Sequence, residues 1–223
     1  MGYVDEGFSI YDLSLWVEGL GVSLWIFVVS SIIGIFLGVS IGLIRYYRVP
    51  FIGKALMVIS EFLKNSPVLV QLFLVYFGIP ALFAIDMTPN QAAIITLSGN
   101  TAAFIAVIVI SSIQAIDKRQ LEAARSFALS EVVILKRIIF PQSLAIAMPM
   151  LVSLAINQLQ VTSLISVIGV IDLTRVGDIV TQRTFEPFIV WPIIGATYFV
   201  LAKIIAIVGS RLEKKYSAYR VTT

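Results

Sequence analysis

The sequence contains no cysteine and no histidine. The absence of cysteine excludes disulfide bonds and thiolate chemistry, and the absence of histidine removes a common zinc ligand and the side chain that usually titrates near neutral pH. Charged residues make up only 13% of the 223 residues. The chain also lacks a Gly-x-x-x-x-Gly-Lys-Ser/Thr phosphate-binding loop. We therefore expect no metal site, no catalytic activity and no binding of ATP through that motif.

Apolar residues are abundant, at 59% of the chain, and the mean hydropathy is +0.98. They occur in long uninterrupted blocks, whereas the helices of a soluble protein show short periodic stripes. A core of ordinary size could not bury this much apolar surface. The net charge of +3 does not indicate nucleic-acid binding, because Lys and Arg lie between the apolar blocks and form no single patch. The composition therefore predicts a membrane protein.

Five segments are apolar enough to cross a membrane as helices, which need about 20 residues each. Their approximate bounds are 20–44, within 55–84, 92–116, from after Pro141 to 159, and 188–209. A further apolar stretch at 164–171 is too short to span. Met148, Pro149 and the polar run at 157–163 blur the fourth span, so six crossings are the alternative to five. We predict an all-α integral membrane protein forming a single domain over residues 1–223.

Lysine and arginine are concentrated in alternate connections between the spans, as they are in short cytoplasmic loops. The basic residues that follow the first, third and fifth spans are Arg45, Arg48 and Lys54; Lys118, Arg119, Arg125, Lys136 and Arg137; and Arg211, Lys214, Lys215 and Arg220. The opposite side has an acidic N-terminus and a loop around Asp86 without basic residues. We therefore expect the N-terminus outside and the C-terminus in the cytoplasm.

The longest predicted cytoplasmic segment, residues 117–137, is expected to form a short helix, a turn and a second helix. Leu121, Ala124, Phe127 and Ala128 recur at spacings of three and four residues, which gives the first helix an apolar stripe. Such a stripe suits either a partner protein or the headgroup layer of the membrane. Its small alanines favour a partner protein, because a helix that lies on a membrane usually carries large apolar anchors.

Several short motifs are spread over most of the chain. Glu122-Ala123-Ala124 is followed by Ile139-Phe140-Pro141; residues 65–72 read Asn-Ser-Pro-Val-Leu-Val-Gln-Leu; residues 162–169 read Thr-Ser-Leu-Ile-Ser-Val-Ile-Gly; and residues 211–213 read Arg-Leu-Glu. The first pair resembles the cytoplasmic EAA loop of ABC importer permeases, and the others resemble the GTPLLVQL, TSLxSVIG and C-terminal segments of the polar amino acid branch. Glu-Ala-Ala alone is common in helices, but separated motifs in the right order are a strong indication.

The resemblance implies the permease subunit of an ATP-driven importer of a polar amino acid of the histidine, glutamate or glutamine type, with the ABC type I importer permease fold. It further implies a bacterial cytoplasmic (inner) membrane location, a cytoplasmic ATP-binding subunit dimer that uses ATP and Mg, a second permease subunit, and an extracytoplasmic amino acid binding protein. The 117–137 loop would couple the permease to the ATPase. The coupling residues implied are Glu122, Ala123, Ala124, Arg125, Ala128 and Ser130.

Two departures from the family pattern affect these expectations. The family usually has Gly where this chain has Ala128, so we expect the turn after the first loop helix to differ. The family's third span commonly carries a Glu and an Arg, which Val107 and Ile110 replace here. The loss of this ion pair is easier to tolerate if a non-identical partner retains it. This favours a heterodimer of permease subunits, with a homodimer as the alternative.

Polar residues within the spans are candidates for a substrate pathway or gate, because such residues are costly in a bilayer unless they face a cavity or a partner. They are Lys64, Asn65, Ser66, Pro67, Gln71, Asn100, Gln158, Gln160, Thr162 and Ser163. Other interpretations remain open at this stage. Lys64 could reach the interface, Pro67 could be a packing kink, and the amides and hydroxyls could join neighbouring helices.

Gly34, Gly38 and Gly42 recur every four residues, which is typical of closely packed membrane helices. The alternative function is a stand-alone secondary carrier or channel for small polar solutes. Ion coupling in a carrier usually depends on buried acids, histidines or an internal repeat. The sequence has no histidine, and we expect no Asp or Glu within the span cores. A membrane scaffold without transport activity is a third hypothesis. Hydropathy alone does not separate these classes.

Overall fold

The structure, a computed structural model, describes residues 10–217, and this part of the chain is helical without β-strands. The helices are α1 (Ile10–Tyr46), α2 (Ile52–Asn65), α3 (Val68–Phe73), α4 (Ile79–Phe83), α5 (Pro89–Gln114), α6 (Lys118–Ser126), α7 (Glu131–Ile134), α8 (Phe140–Val161), α9 (Leu173–Thr184) and α10 (Pro187–Ser217). Two π-helical turns, Leu74–Gly78 and Leu135–Ile139, join α3 to α4 and α7 to α8. A 3₁₀ helix, Thr162–Ile168, extends α8.

Four continuous helical segments of the described chain are long and apolar enough to cross a membrane: Tyr11–Tyr46, Pro89–Gln114, Glu131–Ile168 and Pro187–Tyr216. The fifth candidate consists of Ile52–Asn65 and Val68–Phe83, which are bent by 114° relative to each other. The prediction of an all-α membrane protein with about five spans is confirmed. The acidic residues at 1–9 that entered the topology prediction lie outside the described residues, and the orientation of the termini stays a prediction.

The most extensive helix–helix contact of the described chain joins α1 to α5. At Gly34, Gly38 and Gly42 of α1, the space that a side chain would need is occupied by Thr101, Ile105 and Val109 of α5. The nearest atoms of these residues lie 2.6–2.8 Å from where each glycine Cβ would be. Only glycine permits this approach of the two backbones. The prediction that this glycine series serves helix packing is therefore supported by the geometry.

Three apolar clusters fix the remaining elements. One surrounds the break after α2 and includes Ile26, Leu72, Leu97 and Ile165. A second attaches the 117–137 loop to the spans through Ile113, Ile116, Ala124, Ile134 and Ile139. The third holds α9 against α1 and α10 through Leu173, Val176, Val180, Val190 and Ile194. Most large apolar side chains outside these clusters are exposed, as expected where lipid is the solvent.

Gly38→Ala is expected to destabilise the chain. The new Cβ would lie 2.6 Å from Cβ of Ile105 and 2.8 Å from the backbone oxygen of Ala102, so one helix must move. We expect a loss of about 1–3 kcal/mol, measured by thermal unfolding in detergent. Gly21→Ala on the same helix is the matched control, because nothing lies within 4 Å of its Cβ position. An equal loss of stability in both variants would contradict close packing as the cause.

Candidate functional site

The 117–137 loop forms a helix–turn–helix whose two N-termini are capped by side chains. Asp117 accepts a hydrogen bond from the backbone N–H of Arg119 at 2.9 Å, and Ser130 accepts one from Val133 at 3.4 Å. The hydrogen bonds from Arg119 lower the pKa of Asp117, which keeps this cap ionised. The predicted helix, turn and helix are all present, as α6, the turn at 127–130 and α7.

The two faces of α6 have different environments. Ala124 is only 6% exposed and packs on Ile113, Ile116 and Ile134 of its own chain. Sequence reasoning placed Ala124 on the surface that another protein approaches; the structure instead places it where the loop is fixed to the spans. Phe127, at the end of α6, is 81% exposed. The exposed part of the apolar stripe is therefore the turn, not the middle of α6.

An ion pair closes the turn between the two loop helices. Nε of Arg125 donates to Oε1 of Glu131 at 2.8 Å, and Nη2 donates to Oε2 at 3.3 Å. Glu122 is exposed, and its backbone oxygen accepts from Ser126. Glu131, which sequence analysis did not single out, is thus the acid that pairs across the turn. Its six-residue spacing from Arg125 is not a helical pairing distance, so only the fold brings the two together.

Ala128 has a left-handed backbone conformation, with φ of 53°. Alanine therefore does not prevent a left-handed turn in this chain, although a Cβ imposes a steric cost in that conformation. The expectation that the turn differs from that of a glycine-containing loop stays a prediction. Its N–H donates to the carbonyl of Arg125 and the N–H of Leu129 donates to the carbonyl of Ala124, so hydrogen bonds at the end of α6 stabilise this conformation.

The break between α2 and α3 is built around buried amides. Ser66 ends α2 with extended backbone, Pro67 begins α3, and the two helices diverge by 114°. Such a break leaves carbonyl groups at the end of α2 without helical donors. Gln71 supplies the missing donors. Its Nε2 donates to the carbonyl of Leu63 at 2.7 Å and to the carbonyl of Ser66 at 2.9 Å.

Asn100 connects this break to the central helix α5. Its Nδ2 donates to the carbonyl of Leu63 at 3.1 Å and lies 3.5 Å from Oε1 of Gln71. Both amides are buried. The structure thus brings together Ser66, Gln71 and Asn100, which sequence analysis had only grouped as polar residues in spans. They bond to backbone carbonyls and to one another, which favours a role in holding the break over direct contact with a solute.

Lys64 has a partner that sequence analysis missed. Its Nζ lies 3.1 Å from Oε1 of Glu61, one helical turn earlier, and Asn65 donates to the same carboxylate at 3.0 Å. Glu61 falls within the predicted second span, so that span carries an acid as well as a lysine. The i, i+3 spacing of Glu61 and Lys64 was the available signal.

The polar residues at the end of α8 separate into two groups. Gln158 is buried and donates to Oγ of Ser30 at 3.0 Å, and the buried Thr162 bonds back to Leu159. Gln160 is exposed, and Ser163 is half-buried. Ser153 and Asn157 are also exposed on α8 and border an open depression of about 490 Å³. In a membrane helix, exposed amides indicate an aqueous cavity or a partner rather than lipid.

A second polar cluster joins α1 to α9 and was not predicted. Asp12, in the first turn of α1, forms an ion pair with Arg183. Asp172 caps α9 by accepting from the N–H of Arg175 at 2.8 Å, and burial raises the pKa of Asp172 to about 6. The hydroxyl oxygen of Ser23 on α1 accepts a hydrogen bond from the backbone N–H of Leu173. The sequence distance of 171 residues between Asp12 and Arg183 explains why no local pattern reveals this pair.

The chain has several apolar helical spans, and one of them is broken around buried amides. It also has a helical loop that is fixed to the spans and ends in an exposed turn, and it has polar side chains on an open helix face. This is a multi-pass membrane permease. The chain belongs to the family described as binding-protein-dependent transport system inner membrane component, which matches residues 30–217. It is therefore an inner-membrane component of a transport system, which favours this function over a stand-alone carrier.

Similar proteins cover nearly the whole chain. A probable amino-acid ABC transporter permease protein of Bacillus subtilis (strain 168) is 34% identical over 203 residues, covering 91% of this chain and 89% of the relative. An arginine transport system permease protein of the same organism is 34% identical, covering 95% and 97%. The crystal structure of an amino acid ABC transporter with histidines matches with a TM-score of 0.86 at 29% identity, covering 96% of this chain and 99% of that chain. The type I importer permease fold is confirmed.

Ala128→Gly is expected to stabilise the 117–137 loop by about 0.5–1 kcal/mol, because glycine adopts positive φ without a Cβ clash. Hydrogen exchange of the loop amides measures this directly and should slow. Ala123→Gly, within α6, is the matched variant, and it should speed exchange because glycine weakens a helix interior by about 0.5–1 kcal/mol. Faster exchange in both variants would show that the left-handed turn is not strained.

Gln71→Leu is expected to destabilise the break after α2 by about 1–3 kcal/mol, because the carbonyls of Leu63 and Ser66 lose their shared donor. Thermal unfolding in detergent measures the loss. Gln160→Leu serves as the control, since this exposed glutamine should tolerate the change within about 0.5 kcal/mol. Equal stability of Gln71→Leu and the unaltered chain would contradict the bridging role.

Proposed function

We propose that this chain is the permease subunit through which an ATP-driven importer moves a polar amino acid across the bacterial inner membrane. The names of its relatives support the substrate class, since the similar permeases are described as amino-acid, arginine and glutamine transport proteins. The observation that carries the proposal is the 117–137 loop, which is rigidly attached to the spans on one face and presents an exposed aromatic side chain on the other.

The loop is suited to transmit a motion from a partner to the spans. Ala124 packs beneath α7 and against the end of α5, and the Arg125–Glu131 ion pair ties α6 to α7. A force on Phe127 would therefore move α6, α7 and the start of α8 together. We infer that a cytoplasmic ATP-binding subunit docks on Phe127 and its neighbours. This partner, as a dimer, would bind ATP and Mg, because this chain has no phosphate-binding loop.

The predicted coupling residues divide by role in this proposal. Ala124 fixes the loop, Arg125 closes the turn, Ser130 caps α7 and Ala128 sets the turn conformation. Glu122 and Ala123 lie exposed on α6, where the partner would meet them.

We place the substrate pathway on the exposed polar face of α8, between this chain and a second permease subunit. Ser153, Asn157 and Gln160 follow one another at spacings of four and three residues, so they form a single stripe. On α5, Val107 and Ile110, which replace the charged pair common in the family, are only partly buried and carry no charge. This half of the pathway would therefore be uncharged, which supports a non-identical partner that supplies the charged groups, and hence a heterodimer.

The side opposite the 117–137 loop would receive an extracytoplasmic amino acid binding protein. The described residues there include α9, which is anchored by the Asp12–Arg183 ion pair and by the buried cap Asp172. Its outer face carries the Arg175–Asp178 ion pair at 2.7 Å. The N-terminus would lie on this side and the C-terminus in the cytoplasm, as the distribution of basic residues predicts.

Phe127→Asp is expected to weaken binding of the cognate ATP-binding subunit about 30-fold, because a central aromatic anchor of an interface commonly contributes about 2 kcal/mol. Binding is measured by co-purification and by titration of the ATPase onto the permease in detergent. The permease itself should remain folded, since the Phe127 side chain makes little contact within the chain.

The matched control is Phe188→Asp, which changes another highly exposed aromatic residue, 91% exposed. Phe188 lies near the start of α10, at the end opposite its basic C-terminal turn. It should leave ATPase binding unchanged. Failure of the unaltered chain to retain any ATPase would contradict the proposed function. Retention by Phe127→Asp would instead contradict only the assignment of the docking residue.

A further inference from the structure

An apolar slot lies between α1, α5 and α8. It has a volume of about 500 Å³, within the range of ligand-sized cavities, and its lining includes Leu43, Ile113 and Ala147. Ile35 and Phe140 on its rim are more than a third exposed, so the slot is open to the surroundings of the chain. An opening on the outer surface of membrane-spanning helices faces lipid or another subunit.

The slot is long and narrow. Along α1 it extends from Ser31 to Leu43, which corresponds to about 18 Å at 1.5 Å per residue. One leaflet of the hydrocarbon core is about 15 Å thick, half of the full 30 Å. A cavity of this length with a volume of about 500 Å³ fits an extended hydrocarbon chain.

The chemistry of the lining favours the same occupant. A polar solute would need several converging hydrogen-bonding groups. The polar side chains of the slot are mostly engaged within the protein: Ser112 bonds to Ile108, Ser143 to Phe140, and Gln158 to Ser30 and Leu97. The hydroxyl of Thr101 makes no hydrogen bond with a described residue. The hydroxyls of Ser31 and Thr101 at the far end of the slot do not by themselves make a site for an amino acid.

Basic residues lie at the end of the slot near the 117–137 loop. Lys136 and Arg137 are exposed in the π-helical turn Leu135–Ile139, whose first and last residues line the slot. Neither side chain forms an ion pair with a described residue. Basic side chains at the cytoplasmic surface attract the headgroups of anionic lipids. A π-helical turn is rare and is frequent at functional sites.

We propose that this slot binds one anionic phospholipid of the cytoplasmic leaflet. One acyl chain occupies the space between α1, α5 and α8, and the headgroup phosphate lies at Lys136 and Arg137. The lipid then contacts both the spans and the first turn after α7, so its binding stabilises the connection between the 117–137 loop and α8. This site does not depend on the identity of the transported substrate.

Native mass spectrometry of the delipidated transporter, with its partner subunits, tests the proposal. The complex is incubated with equal amounts of phosphatidylglycerol and phosphatidylcholine. We expect one phosphatidylglycerol molecule to be retained about 30-fold more than phosphatidylcholine, because two basic residues near the headgroup attract the anionic lipid. K136Q/R137Q should abolish this preference while phosphatidylcholine still binds. Lys54→Gln, which removes an exposed lysine elsewhere, should leave the preference unchanged.

Filling the slot tests the acyl-chain part of the site. Ala147→Phe should lower retention of both lipids at least about tenfold, because Ala147 lines the slot and is 5% exposed. Ala155→Phe, at a less buried position of the same lining, is a second variant if Ala147→Phe fails to fold. Thermal unfolding confirms that the variant tested is folded.

A phosphatidylglycerol with a photoreactive group at the end of one acyl chain gives an independent readout. Labelling of peptides from α5 and α8 that line the slot, lost in the slot-filling variant, supports the proposal. Undiminished lipid retention in a folded slot-filling variant would overturn it. Equal retention of the two lipids by the unaltered complex, or labelling confined to other surfaces, would overturn it as well.

Discussion

The close contact of α1 with α5 determines how the rest of the molecule is arranged. Glycines at 34, 38 and 42 let the two backbones approach until atoms of Thr101, Ile105 and Val109 occupy the space of the missing side chains. Lipid provides little hydrophobic driving force between helices, so van der Waals packing at such distances is a main source of their association. With α5 fixed in this way, α2, α3 and α8 pack on its remaining surface and their functional residues acquire defined positions.

The break after α2 follows from the same solvent. In hydrocarbon, a carbonyl that loses its helical donor must find another within the protein. Gln71 and Asn100 provide these donors from α3 and from α5, so the bend is fixed relative to the central helix. The polar side chains of this region therefore serve the backbone first. Asn157 and Gln160 on α8 keep their polar groups exposed, which supports the proposal that they face a solute.

The long apolar segments could be predicted from the sequence because crossing a bilayer requires a length that composition reveals directly. The loop helices, the break at Pro67 and the packing role of the glycines also follow from local patterns. The contacts of individual side chains do not. Ala124 and Phe127 belong to one apolar stripe, yet one is buried in its own chain and the other is exposed. Asp12 and Arg183 pair across nearly the full sequence, and Gln71 differs from Gln160 only in its three-dimensional surroundings.

The π-helical turn Leu135–Ile139 limits how the chain can change in length. It joins α7 to α8 without a loop, so α8 continues rigidly from the turn. Each residue in an α-helix rotates the following ones by about 100°, from 3.6 residues per turn. An insertion or deletion of one residue in α8 between this turn and Ser153 would therefore rotate the polar stripe of α8 away from its open face. Insertions and deletions are tolerated in flexible connections, but this connection fixes the rotation of α8 relative to the 117–137 loop.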